Sequence, residues 1–249
     1  MPKSAGDRKQ KPTSGAARTD TALKREVRGT TPLQKRHLQT PELLVRGFYN
    51  RDPRIVAREL LGKVLIREER GEQLIGRIVE TEAYLGEGDA AAHSAAGHTA
   101  RNSVIFGPPG LAYVYFIYGV HYCLNVSCLP EGNAGCVLIR ALEPVAGLQE
   151  MARNREIELD DAPTLAELRS LASGPGRLAE AFGIVRERDN GKDMARGHSD
   201  LWIGQDGYSV DEISATPRVG ITKAVEEPLR FLVAGNPFVS GKRSITSRR

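Results

Sequence analysis

The chain has 249 residues, of which 40% are hydrophobic and 27% charged, with a formal net charge of +4. That length suits one large domain or two small ones, and the composition is that of a soluble globular protein. No run of about 18 apolar residues occurs, so no membrane span is expected, and the basic N-terminus lacks the apolar stretch of a secretory signal, although an organelle transit peptide remains an alternative.

The charge is unevenly placed. Residues 1–40 carry ten Lys or Arg against three Asp or Glu, whereas the rest of the chain carries 25 against 28. The first 40 residues are rich in Lys, Arg, Ser, Thr, Gly and Ala, with too few apolar residues to bury a core. They read as a disordered basic tail with at most a short helix around Ala22–Val27. Such a tail either solubilises the chain or lies along phosphates. The globular domain is expected over 41–249.

In chain order, Asp52-Pro53 ahead of Ile55, Val56, Leu60 and Leu61 marks a capped helix that Gly62 can end. Strand-like runs follow at Lys63–Arg67 and Leu74–Tyr84. Tyr113–Tyr118 and Val120–Ser127 read as two strands tightly joined at Tyr118-Gly119. Cys136–Leu142 is a further strand, and Gly147–Arg155 and Pro175–Phe182 are helical. Late strands fit Thr216–Ile221 and Leu229–Ala234. Strands outnumber helices without alternating with them. This favours one α+β domain with a curved, mainly antiparallel sheet flanked by helices. No GxGxxG or GxxxxGK[ST] is present, and no cofactor is expected. Ser173-Gly-Pro-Gly before a helix is either a phosphate-facing turn or a plain loop.

Cys123, Cys128 and Cys136 form no CxxC pair. They read as buried thiols of a reducing compartment, with a zinc site including His121 as the alternative; no metal is expected.

In Arg77-Ile-Val-Glu-Thr-Glu-Ala-Tyr-Leu-Gly, strand alternation puts Glu80, Glu82 and Tyr84 on one face. They form either a solvated face or a site. His93 follows in a loop. Leu111–Gly119 then has four aromatic residues among its nine, in a chain only 6% aromatic, which makes a base-stacking pocket plausible. Asn125 and Arg140 interrupt apolar strands, where unpaired polar groups are costly. Arg140 either neutralises a buried carboxylate or helps Glu82 hold a water.

Seven ordered runs carry a resemblance. They are Gly76-Arg-Ile-Val-Glu-Thr-Glu-Ala-Tyr-Leu-Gly, Asp89-Ala-Ala-Ala-His-Ser, Tyr113-Val-Tyr-Phe-Ile-Tyr-Gly, Cys123-Leu-Asn-Val, Val137-Leu-Ile-Arg-Ala-Leu-Glu-Pro, Ser173-Gly-Pro and Pro217-Arg-Val-Gly-Ile. Over about residues 45–240 the chain resembles the alkyladenine (3-methyladenine) DNA glycosylases of the mammalian type. The resemblance implies a DNA-repair enzyme that flips a damaged purine from duplex DNA and hydrolyses its bond to the sugar. Glu82 looks like the base that activates water, with Arg140 and the Val219 carbonyl positioning that water. Tyr84, His93 and Tyr115 look like the walls around the flipped base, Tyr118 like the wedge that replaces it in the stack, and Asn125 like the group that disfavours guanine.

One carboxylate suffices for a cationic alkylated base, which needs no protonation to leave. The lysines of the domain, Lys63, Lys192, Lys223 and Lys242, lie outside the catalytic motifs, so a monofunctional glycosylase is expected, since a lyase needs an active amine. The expected partner is double-stranded DNA with damaged purines, met by a monomer away from membranes. The compartment would be bacterial cytoplasm at the nucleoid, or a eukaryotic nucleus. The competing readings are a non-catalytic nucleic-acid-binding module and a hydrolase of free nucleosides or other glycosides.

Overall fold

The computed structural model describes residues 40–117 and 119–241. The tail before residue 40, its suggested helix at Ala22–Val27, and Tyr118 lie outside the described residues.

The first strand, β1 (Glu42–Leu43), leads through the short α1 (Arg46–Tyr49) into α2 (Pro53–Leu60). Asp52 caps α2 as expected, accepting the Arg54 N–H at 2.8 Å, and Gly62 turns the chain away at φ +84°. The apolar stripe of α2 buries Val56, Ala57 and Leu60. Strands β2 (Val64–Glu69) and β3 (Glu72–Tyr84) follow as a hairpin, closed by Arg70 and Gly71, both with positive φ. Positive φ at both loop residues matches the right-handed twist of the flanking strands.

The 13-residue β3 organises the sheet. Its first half pairs with β2, its second half with β9 (Arg230–Val233), and its other edge with β6 (Cys136–Ala146). Outward from β6 lie β5 (His121–Ser127) and β4 (Ala112–Ile117), while β7 (Leu201–Gln205) joins β2 to β1, and β8 (Ile213–Thr216) pairs with β9. Every pairing is antiparallel, and the sheet curls into a half-barrel, so the α+β expectation holds. Helices α3 (Leu148–Asn154), α4 (Leu165–Ala172) and α5 (Pro175–Ala181) pack over it, with α6 (Arg186–Asp189) beside β4. Leu168, Leu171, Leu178 and Phe182 fill the core against Ile78, Val137, Ile139 and Leu142.

One late strand differs from expectation. The predicted Thr216–Ile221 strand is instead β8, ending at Thr216. Pro217 has no N–H for a ladder. Beyond it, Arg218 turns into the interior and the Val219 amide leaves the sheet for a side-chain acceptor. Elements β1, β7, α1, α4 and α6 are additions to the sequence reading. The signal for α4 is in the chain: Thr164 and Glu167 form a reciprocal capping box.

Two irregularities in the β3–β6 register shape the site. Ile78 faces Leu142 and Glu80 faces Ala141, while Thr81 already faces Ile139. Arg140 is therefore the extra residue of a bulge, the device that re-aims a side chain out of strict alternation.

Candidate active site

Glu80 and Glu82 point the same way from β3, and both carboxylates are completely buried. The bulge puts Arg140 between them, with Nε donating to Glu80 Oε1 at 2.8 Å and Nη1 lying 3.3 Å from Glu82 Oε1. Their surroundings otherwise diverge. Glu80 also accepts from Arg230 Nε at 2.7 Å, the Ser240 amide at 2.6 Å and the Ser240 hydroxyl at 2.9 Å. Burial pushes its carboxyl up, but the two guanidinium charges and the Ser240 amide outweigh this and hold it below the usual carboxylate range. Glu80 is an ionised strut with its lone pairs committed.

Glu82 accepts from the Val219 amide at 2.8 Å and from the Tyr84 hydroxyl at 3.0 Å. Here burial wins. It pushes the Glu82 carboxyl above its ordinary value, and Arg140, the Val219 N–H and Tyr84 offset only part of the rise. Two adjacent carboxylates are thus driven in opposite directions, which separates a structural anion from a candidate general base.

Above Glu82 lies a cavity of about 580 Å³, lined among others by Tyr84, His93, Tyr115, Asn125, Arg140 and Val219. This is within the roughly 300–1,000 Å³ typical of small-ligand pockets and leaves room for a flipped nucleoside. Six of the eight residues singled out in the sequence line one cavity, and Glu82 is bonded to three of the liners. Tyr118 lies outside the described residues. Ile117 pairs with His121, so residues 118–120 join β4 to β5, and Gly119 has φ +69°.

His93 is set by Tyr113 and Tyr115. Its Nδ1 is hydrogen bonded to the Tyr113 hydroxyl at 2.9 Å, and its ring meets that of Tyr115 edge-on at 4.5 Å between centroids. Burial lowers the His93 pKa, helped by Arg101, so the imidazole is neutral at physiological pH. A neutral, aromatic wall suits a cationic guest, which a charged imidazolium would repel. Asn125 donates through Nδ2 to the Tyr113 carbonyl at 3.1 Å while still lining the cavity. Val219 contacts Glu82 through its amide.

Several residues escaped the sequence reading. Tyr113 braces His93, and Arg230 and Ser240 brace Glu80. Lys223 lines the cavity although no motif marks it. The Ser173-Gly-Pro-Gly segment serves as a strut: the Ser173 hydroxyl donates to the Phe238 carbonyl at 2.7 Å, and Pro175 lines the cavity. The three cysteines are free and buried, and Cys123 and Cys136 line the cavity, their thiols pushed up by burial to about 11 and about 12. His121 is hydrogen bonded to Glu180 Oε1 at 2.7 Å rather than to a thiol. Among the described residues no group of three or more His, Cys, Asp or Glu is arranged to hold a metal, and no helix is long and apolar enough to cross a membrane.

Residues 47–237 match the profile of the methylpurine-DNA glycosylase family. The chain belongs to that family. It is 65% identical over 200 residues to a protein of Koribacter versatilis named "Putative 3-methyladenine DNA glycosylase", covering 80% of this chain and 94% of that one. Proteins of the same name from Rhodopseudomonas palustris and Alkaliphilus oremlandii are 45% and 43% identical, covering 84% and 80% of this chain and 93% and 99% of theirs. The chain is accordingly a DNA glycosylase, a hydrolase of N-glycosyl bonds.

Proposed function

We propose that this glycosylase acts on alkylated or deaminated purines of the 3-methyladenine, 7-methylguanine, ethenoadenine and hypoxanthine class in double-stranded DNA, and stops at the abasic site. The observation that carries the reading is Glu82, buried and unusually basic, bonded directly to three residues lining an aromatic cavity. Flipped purine stacks between Tyr84, His93 and Tyr115, while Tyr118 at the β4–β5 connection fills the gap in the helix. Glu82 takes a proton from water as its oxygen attacks C1′. The C1′–N bond breaks, and its electron pair leaves with the base; this neutralises an alkylated cation, whereas a neutral base such as ethenoadenine or hypoxanthine also takes up a proton from solvent as it leaves. Arg140 and Val219 hold carboxylate and water. Kinship with the mammalian-type branch rests on the seven motifs. The enzyme would work as a monomer in the DNA-containing compartment, with the basic tail adding weak contacts to phosphates.

Lys223 needs an account, since an amine at the cavity can attack an abasic aldehyde. It is exposed and lies outside the runs that carry the site, and we assign it no covalent step. The test of the whole reading is a panel of duplexes with single lesions, each treated with alkali after incubation and, in parallel, with borohydride during it. Release of the damaged base with alkali-labile strands and no trapped protein adduct is expected. Cleavage of free nucleosides but of no duplex would contradict the reading, and an adduct lost in Lys223→Ala would contradict monofunctionality.

Asn125 carries the specificity proposal. Normal guanine differs from hypoxanthine by an amine at C2, and an amide at the cavity wall penalises that amine. Asn125→Ser is expected to raise release of undamaged guanine and to change ethenoadenine excision less. Because Asn125 also ties β5 to β4, a melting curve accompanies the assay. Lower stability with a uniform fall on guanine, hypoxanthine and ethenoadenine would leave it only the structural tie.

A further inference from the structure

The buried ion pair of Asp89 and Arg218 has no part in the roles above. Both side chains are completely buried. Arg218 Nη1 donates to Asp89 Oδ2 at 2.6 Å and Nη2 to Asp89 Oδ1 at 2.9 Å, a two-pronged pair. Nη1 also donates to the Ala83 carbonyl at 3.0 Å, and the guanidinium carbon sits 4.7 Å from the centre of the Tyr84 ring. Asp89 in turn accepts from the Leu85 amide at 3.1 Å and the Ala91 amide at 3.0 Å. One arginine therefore fixes the backbone between Glu82 and Tyr84, the Tyr84 ring, and the start of the loop that carries His93. The residue after it, Val219, gives its amide to Glu82.

Burying such a pair costs much of its Coulombic gain in desolvation, so stability alone is a poor reason for it. Its position supplies a better one. We propose that Arg218, clamped by Asp89, is a positioning residue for hydrolysis: it holds the Val219 amide on the Glu82 carboxylate and the Tyr84 ring against the cavity. This rests on the reading of Glu82 as the base. Among the described residues, the titratable and charged groups around Glu82 are Glu80 and Tyr84 of β3, Arg140 of β6 and Cys123 of β5; around Arg218 they are Asp89, Tyr84, Glu227 and Cys136 of β6.

Loosening the clamp withdraws a donor from the Glu82 anion, which raises its pKa and moves the acid limb of activity to higher pH. The test is the single-turnover rate of Asp89→Asn on an ethenoadenine duplex as a function of pH, with duplex affinity measured alongside. The expected result is an acid limb displaced upward by roughly one pH unit, the scale of one charge-assisted hydrogen bond. The plateau should fall by up to about a hundredfold, as for a small misplacement of reacting groups, with affinity little changed. Arg218→Lys keeps the charge without the fork and should shift the limb less. Should Asp89→Asn fail to fold, Val219→Pro removes the amide proton and leaves the buried pair intact. It is expected to reproduce the shift, and in combination with Arg218→Lys to add little to it. An unmoved limb in these variants, with only a lower melting temperature, would overturn the proposal. If instead the wild-type limb persists in Glu82→Gln, the base assignment fails rather than the clamp.

Discussion

Glu82→Gln is expected to lower single-turnover excision by about a hundredfold or more, the scale of losing a general base, while duplex binding survives. The substitution keeps the volume of a completely buried side chain. The amide oxygen can still accept from Val219, and Arg140 keeps its bond to Glu80. The fold should therefore stand, and only the proton acceptor is lost. Excision and affinity measured on the same ethenoadenine duplex check this, and near-normal turnover would remove Glu82 from the mechanism.

The second large effect is expected at Arg140. It is the cation shared by Glu80 and Glu82. Arg140→Met leaves Glu80 with Arg230 and Ser240 but deprives Glu82 of the charge that offsets its burial. Breaking a buried pair on one side costs roughly 3–5 kcal/mol, so the melting temperature at neutral pH should fall by on the order of 10 °C for a domain of this size. The pH dependence has a definite sign. A carboxyl whose pKa is raised by folding favours the folded state below its unfolded pKa, and that contribution is lost as pH rises through the folded value. In Arg140→Met the Glu82 pKa rises further, so its stability deficit should widen with rising pH and shrink in acid. The acid limb of activity should move up with it. Melting curves across pH check the first point. A deficit independent of pH would mean that Arg140 serves packing rather than charge.

The sequence carried much of this site because its signal is local. Glu80, Glu82 and Tyr84 share a face by strand alternation, and Asn125 and Arg140 stood out as polar interruptions of apolar strands. Division of labour between the two glutamates was not legible. It depends on Arg230 and Ser240, which reach Glu80 from 150 and 160 residues away. The aim of Arg140 depends on a bulge, and a bulge is settled by pairing with β3 rather than by β6 itself. Residues 217–221 misled for a related reason. Val219 and Ile221 favour strands locally, but the buried Asp89 draws Arg218 inward and takes the segment out of the sheet. Short β1 has too few residues to show a period, and in β7 the buried Leu201, Ile203 and Gly204 with half-buried Trp202 hide alternation. The α4 capping box, by contrast, was written in Thr164 and Glu167 and needed no tertiary information.

The central claim is that one carboxylate, acting as a base on water, is enough to release a base that already carries positive charge. The most direct measurement is the single-turnover rate against pH on a 7-methylguanine duplex, for the wild-type chain and for Glu82→Gln. The expected wild-type profile rises with pH along a single limb, placed above the usual carboxylate range because burial raises the Glu82 pKa, and then stays level because no acid is needed. That limb should be absent in Glu82→Gln. A limb that persists in Glu82→Gln, or a wild-type rate that falls again at high pH as an essential acid is lost, would contradict the account.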